Sequence, residues 1–85
     1  MNSITWKTKA AKQLRKLPLQ SQQQIRDEVG AKLTAFPDCS EVKKLTNHEY
    51  QYRLRVGRYR VFFNFEGAIR IVSIEEVKKR DEHTY

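Results

Sequence analysis

Two spacings of apolar residues divide the 85-residue chain. At the start, Ile4 and Trp6 alternate with polar Ser3 and Thr5, the period of a strand, so residues 1–6 read as a first strand. From Thr8 to Leu17 the apolar positions Ala10, Ala11, Leu14 and Leu17 recur at helical spacing, and Lys7, Lys9, Lys12, Arg15 and Lys16 fill most of the rest. Pro18 ends that helix and can open the next. Residues 19–35 read as a second helix, with Ile25, Val29, Leu33 and Phe36 on one face and a glutamine-rich face opposite. Phe36-Pro37-Asp38 stops it. Each helix carries one apolar stripe, and a hairpin of two such helices needs a flat surface to cover.

The second half switches to period two. Tyr50, Tyr52, Leu54 and Val56 alternate with Gln51, Arg53 and Arg55; Tyr59, Val61, Phe63 and Phe65 alternate with Arg60, Phe62 and Asn64. Gly57-Arg58 between them suits a two-residue hairpin turn with glycine at its first central position. Glu66-Gly67 marks another turn, and Ala68 to Val77 reads as the last strand. Residues 42–46 add a short further strand. The predicted architecture is a single α+β domain over residues 1–85: an N-terminal strand, a helical hairpin, then an antiparallel β-meander, with both helices packed on one sheet face. The chain has no repeat, no low-complexity tract and no linker.

In the predicted hairpin Arg55 faces Arg60 and Arg53 faces Phe62. The aromatic and aliphatic residues share the face under the helices, and Gln51, Arg53, Arg55, Arg60 and Phe62 share the other. Two arginines directly opposed across strands repel each other. An anion between them removes that repulsion, and guanidinium forks match phosphate geometry. Phe62 and the tyrosines are candidates for base stacking.

Charge sharpens this picture. Seventeen Lys and Arg against ten Asp and Glu give a formal net charge of +7. Residues 1–36 hold seven basic and two acidic groups, and residues 43–60 hold six and one. Such a domain attracts polyanions, nucleic acid first. The bland alternative is a solubilising surface with one wet sheet face. No apolar run approaches the length of a membrane span and the start does not read as a signal peptide, so a cytoplasmic location without membrane attachment is expected. The lone Cys39 cannot form an internal disulfide, and with His48 and His83 it makes no metal-ligand spacing; no metal or other cofactor is expected. In the tail Val77-Lys78-Lys79-Arg80-Asp81-Glu82-His83-Thr84-Tyr85, His83 is a candidate proton-transfer group, weighed against an ordinary frayed terminus.

Lys44-Leu45, the run Tyr52-Arg53-Leu54-Arg55-Val56-Gly57-Arg58-Tyr59-Arg60-Val61 and the ending from Val77 to Tyr85 together resemble the RelE/ParE toxin superfamily over essentially the whole chain. The resemblance implies a toxin of a type II toxin-antitoxin system that cuts mRNA on the ribosome, without a metal, by attack of the 2′-hydroxyl on the scissile phosphate. Carried over, it gives Arg60 and Arg80 as the arginines at that phosphate and His83 and Tyr85 as candidate general acids. His83 corresponds to the C-terminal histidine of relatives of the YoeB and HigB type. Arg53, Arg55, Lys78, Lys79 and Gln51 then form the RNA-binding set. It also implies a cognate antitoxin, ribosome and mRNA as partners, and operator DNA reached only through the antitoxin. Three departures stand out. Gln51 replaces a basic residue, the Arg80–Tyr85 spacing differs from common forms, and Lys78-Lys79 replaces Gly-His. They leave room for a ParE-like gyrase inhibitor or a non-catalytic RNA- or ribosome-binding module.

Overall fold

The two helices form where the stripes predict, with one adjustment each. The computed structural model describes residues 1–80. Helix α1 spans Thr8–Arg15. It ends two residues before the predicted Leu17 because the Lys16 and Leu17 amides tighten onto Gln13 and Leu14, three residues back, ahead of Pro18. Helix α2 spans Leu19–Glu28 and continues as a wider π-helical turn over Val29–Leu33. The apolar spacing accounts for the widening. Ile25, Val29 and Leu33 are four residues apart, so each step overshoots an α-turn by about 40°, and the wider winding keeps all three on the core side. Gln22 of α2 donates through Nε2 to the carbonyls of Leu17 (2.8 Å) and Arg15 (3.2 Å), closing the open C-terminus of α1.

Five strands follow the predicted order: β1 Ser3–Trp6, β2 Val42–Lys44, β3 Tyr52–Val56, β4 Tyr59–Glu66 and β5 Ile71–Lys79. They lie side by side as β1-β5-β4-β3-β2, antiparallel except that β1 runs parallel to β5. The helices cover one face. Ala10, Leu14, Ile25, Val29 and Leu33 are buried there against Leu54, Val56, Val61, Phe63, Val72, Ile74 and Val77. Phe36 meets Tyr52, Phe63 and Phe65 edge-on at 4.8, 5.3 and 5.0 Å, closing one end of this core. Buried Asn2 donates from Nδ2 to the carbonyls of Leu33 (3.1 Å) and Phe36 (2.7 Å), tying the chain start to the end of the helical segment.

Several boundaries differ from those expected, among them the end of β2, which stops at Lys44 and not at residue 46, and that of β5, which runs on to Lys79. The second turn is longer than Glu66-Gly67, because Arg70 takes a left-handed φ of 53° and β5 begins only at Ile71, leaving Ile69 exposed. Tyr50 and Gln51 are not part of β3, which starts at Tyr52. A β-bulge adds a second effect: Phe63 pairs with Ile74 and Phe62 with Glu76, so Glu75 is the extra residue. Ile74 and Val77 both face the core as a result, and Glu76 turns to the uncovered face.

Candidate nucleic-acid interface

The β3–β4 hairpin positions the charged residues. Val56 pairs with Tyr59, so the connection is the two-residue turn Gly57-Arg58, and Gly57 takes a left-handed φ of 56° that a side-chain-bearing residue rarely adopts. That register sets Arg55 directly against Arg60 and Arg53 against Phe62. On the outer side β2 places Lys43 opposite Arg53, and on the inner side β5 places Lys78 opposite Arg60. The Arg80 amide donates to the Arg58 carbonyl (2.6 Å), which carries the end of β5 along the hairpin turn. The product is a groove of about 280 Å³ lined by Lys43, Arg53, Arg55, Tyr59, Arg60 and Arg80. Arg55 lies 3.7 Å from Glu41. The buried Nε of Arg53 has no hydrogen-bond partner among the described residues, an unpaired donor that costs free energy.

Beside the groove the uncovered face is capped. Residues 45–51 fold back over β4, and the His48 ring stacks on Phe62 at 5.2 Å with an interplanar angle of 10°. Tyr50 lies tilted 5.7 Å from Phe62 and donates its hydroxyl to Glu76 Oε1 (3.0 Å). Lys9 reaches the same oxygen at 2.9 Å, and Lys78 Nζ sits 3.3 Å from Oε2. Glu76 is 5% exposed. Burial alone pushes its carboxyl upward, but hydrogen bonds from Lys9, Tyr50 and Lys78 outweigh that and hold it below the ordinary value. The same contact raises Lys9, through its hydrogen bond to Glu76. Tyr50 is raised by burial first and then by the carboxylate it bonds.

The sequence matches the model of the ParE toxin of type II toxin-antitoxin systems, parDE, over residues 4–83. The chain belongs to this family. It is a type II toxin of the RelE/ParE superfamily, and its fold is the RelE fold. The isolated RelE toxin of E. coli superposes with a TM-score of 0.80 at 17% identity, covering 99% of this chain and 89% of that one. The RelBE-type toxin-antitoxin complex of Mycobacterium tuberculosis gives 0.74 at 22% identity, covering 93% and 98%. The archaeal RelE-RelB complex of Pyrococcus horikoshii gives 0.71 at 22%, covering 95% and 97%. At these identities the likeness speaks for the fold. No curated relative matches the sequence at a significant level.

Within this toxin fold, Arg53, Arg55, Arg60 and Arg80 come together in one groove, as the sequence suggests. His83 and Tyr85 lie outside the described residues. Lys78 shares the groove side with Arg60, whereas strand alternation puts Lys79 on the helix-covered face, paired with Tyr59, whose hydroxyl reaches Ser21 of α2 at 3.3 Å. Gln51 does not join the arginines. Its Oε1 accepts from the Phe65 amide (2.8 Å) and its own amide donates to Asn64 Oδ1 (2.8 Å), so it extends the sheet past the end of β3. Phe62, expected as an open stacking surface, is 6% exposed because His48 and Tyr50 cover it. Nor is the face free of acids: Glu41 approaches Arg55 and Glu76 holds Lys78. The sequence reading also passes over Lys43, whose place follows from laying strand 42–46 antiparallel on β3. Among the described residues no three His, Cys, Asp or Glu side chains gather as metal ligands, and no helix is long and apolar enough to cross a membrane.

Proposed function

We propose that this toxin is an endoribonuclease that cuts mRNA on the ribosome. The observation that carries the reading is the groove in which Arg53, Arg55, Arg60 and Arg80 converge with Lys43, two of the arginines directly opposed and one with a buried Nε that has no partner among the described residues. Such a cluster suits an RNA backbone and, above all, the extra negative charge of a pentacoordinate phosphorane. In the reaction the 2′-hydroxyl loses its proton and attacks the adjacent phosphorus. The bond to the 5′-oxygen breaks, and that oxygen takes up a proton. The products are a 2′,3′-cyclic phosphate and a 5′-hydroxyl. Arg60 and Arg80 stabilise the phosphorane, Arg53 and Arg55 hold the flanking backbone, and Lys78 adds charge beside Arg60. His83 or Tyr85 supplies the proton to the leaving oxygen. The arginines provide the positive charge, so the chemistry proceeds without a metal.

A cognate antitoxin silences the activity in this reading, and operator DNA is met only through it; the RelBE-type neighbours, which are toxin-antitoxin complexes, support a partner of this kind. The match to the ParE model favours a second reading, inhibition of DNA gyrase by binding. One experiment separates the two. The toxin is expressed without antitoxin, and primer extension is run on a translated reporter mRNA and on the same mRNA lacking its start codon. Cleavage is expected only in the translated message, and to fall at least about 100-fold in Arg60→Ala. Intact mRNA together with blocked supercoiling by gyrase would replace the nuclease reading with the second one.

A further inference from the structure

We infer that His48 is a nucleobase platform at the inner end of the arginine groove. The inference rests on the RNA reading of that groove and adds to it a subsite for a base. Three features build it. The connection 45–51 is tied down: the Leu45 amide donates to the Gln51 carbonyl (2.9 Å), Gln51 is bonded to Asn64 and Phe65 of β4, and the Tyr50 hydroxyl is anchored on buried Glu76. Asn47 makes the required bend with a left-handed φ of 51°. The Tyr50 amide then donates to His48 Nδ1 (3.0 Å), which fixes the rotation of the imidazole and leaves the proton of the neutral ring on Nε2.

One face of this ring lies on Phe62, Tyr50 is tilted against it at 5.8 Å, and the residue is nonetheless exposed. Phe62 is the direct cross-strand partner of Arg53. Opposed side chains of this kind start about 5 Å apart, so Phe62 links the imidazole to the strand position of Arg53, whose Nε has no partner among the described residues. An exposed ring over the cross-strand partner of an arginine matches what one unstacked nucleotide presents, a base and its phosphate. Single-stranded RNA is bound in this way, by stacking on aromatic or imidazole rings and by pairing of the backbone with arginine. His48 also shields Phe62 from water, and a test has to separate that role from stacking.

Leucine and phenylalanine at position 48 separate them, because both cover Phe62 but only phenylalanine offers a ring face. Binding is read by fluorescence anisotropy on the full chain, with a 2′-O-methyl RNA hexamer that cannot be cleaved and with versions carrying one abasic residue at each position. The wild-type chain is expected to lose about ten-fold in affinity at one abasic position. His48→Leu should bind the intact hexamer about ten-fold more weakly and no longer distinguish that abasic position, while His48→Phe restores both. Arg53→Ala should weaken intact and abasic RNA alike. If Arg53→Ala weakens binding but His48→Leu binds as wild type, or lowers intact and abasic RNA equally, the platform is overturned and the groove stands. If Arg53→Ala leaves every RNA unchanged, the RNA reading of the groove fails and the platform with it.

Discussion

At the scale of single residues, Glu76 organises more of the uncovered face than any arginine does. Its two oxygens hold Lys9, Tyr50 and Lys78, and through Tyr50 they anchor the segment that covers Phe62. Its carboxyl is held below the ordinary value near 4.5, so folding favours the charged form. The stabilisation is therefore complete above about pH 4.5 and is lost as pH falls through the lowered value. Glu76→Gln keeps the shape but removes the charge and brings an amide donor toward Lys78. We expect it to cost about 1–3 kcal/mol at pH 7, with the gap from wild type narrowing as pH falls through the lowered value, as read by urea unfolding across an acid series. A gap that stayed constant would show that the charge is not what stabilises. The arginine pair was legible without any structure, because a two-residue turn at Gly57 fixes Arg55 against Arg60. Glu76 was not. Counting alternate residues from Ile74 sends it into the core, and only the extra Glu75 turns it outward.

Elements show the same division between local signals and tertiary ones. The helices and the hairpin follow from apolar periodicity and turn chemistry, which act over a few residues, whereas the parallel pairing of β1 with β5 is set by the tertiary fold. The start of β3 and the widened turn after α2 do not follow from local signals either. Tyr50 continues the alternation of Tyr52, Leu54 and Val56, yet it leaves the strand because its hydroxyl is better satisfied on Glu76 than among apolar side chains. A helix and a bulged strand also depend on each other. β1 stops at Trp6, opposite Ile74, so β5 runs on with no strand along that edge, while its other edge stays paired with β4. There α1 takes over: Gln13 Oε1 accepts the Val77 amide at 2.7 Å, and Val77 is 6% exposed. Gln13→Ala leaves that amide without its partner inside the fold. The expected loss is about 1–3 kcal/mol, with earlier hydrogen exchange at Val77 than at Val61 on the neighbouring strand. Unchanged exchange at Val77 would mean that α1 merely lies along the strand and does not complete it.

For the molecule as a whole, the question is whether its charge acts as a diffuse coat or as a site. The two basic stretches of the sequence have different fates in the fold. The lysines of residues 7–16 decorate a helix, where Lys7, Lys12 and Lys16 are exposed and spread along its outer side. Of the cations of 43–60, Lys43, Arg53, Arg55 and Arg60 converge on the groove together with Arg80. Net charge draws in any polyanion from a distance, but only groups that touch phosphate release its condensed counterions on binding. Salt dependence therefore distinguishes the two. For single-stranded RNA each phosphate contact adds about 0.7 to the slope of log K against log salt. Between 50 and 200 mM salt, over which the Debye length halves from about 14 to about 7 Å, Arg60→Ala should flatten that slope by about 0.7, whereas Lys16→Ala should lower affinity slightly and leave the slope alone. Both variants carry the same net charge, so a coat would treat them identically. Equal slopes for the two would show that the groove binds no phosphate of its own and would remove the physical basis for placing the scissile bond beside Arg60.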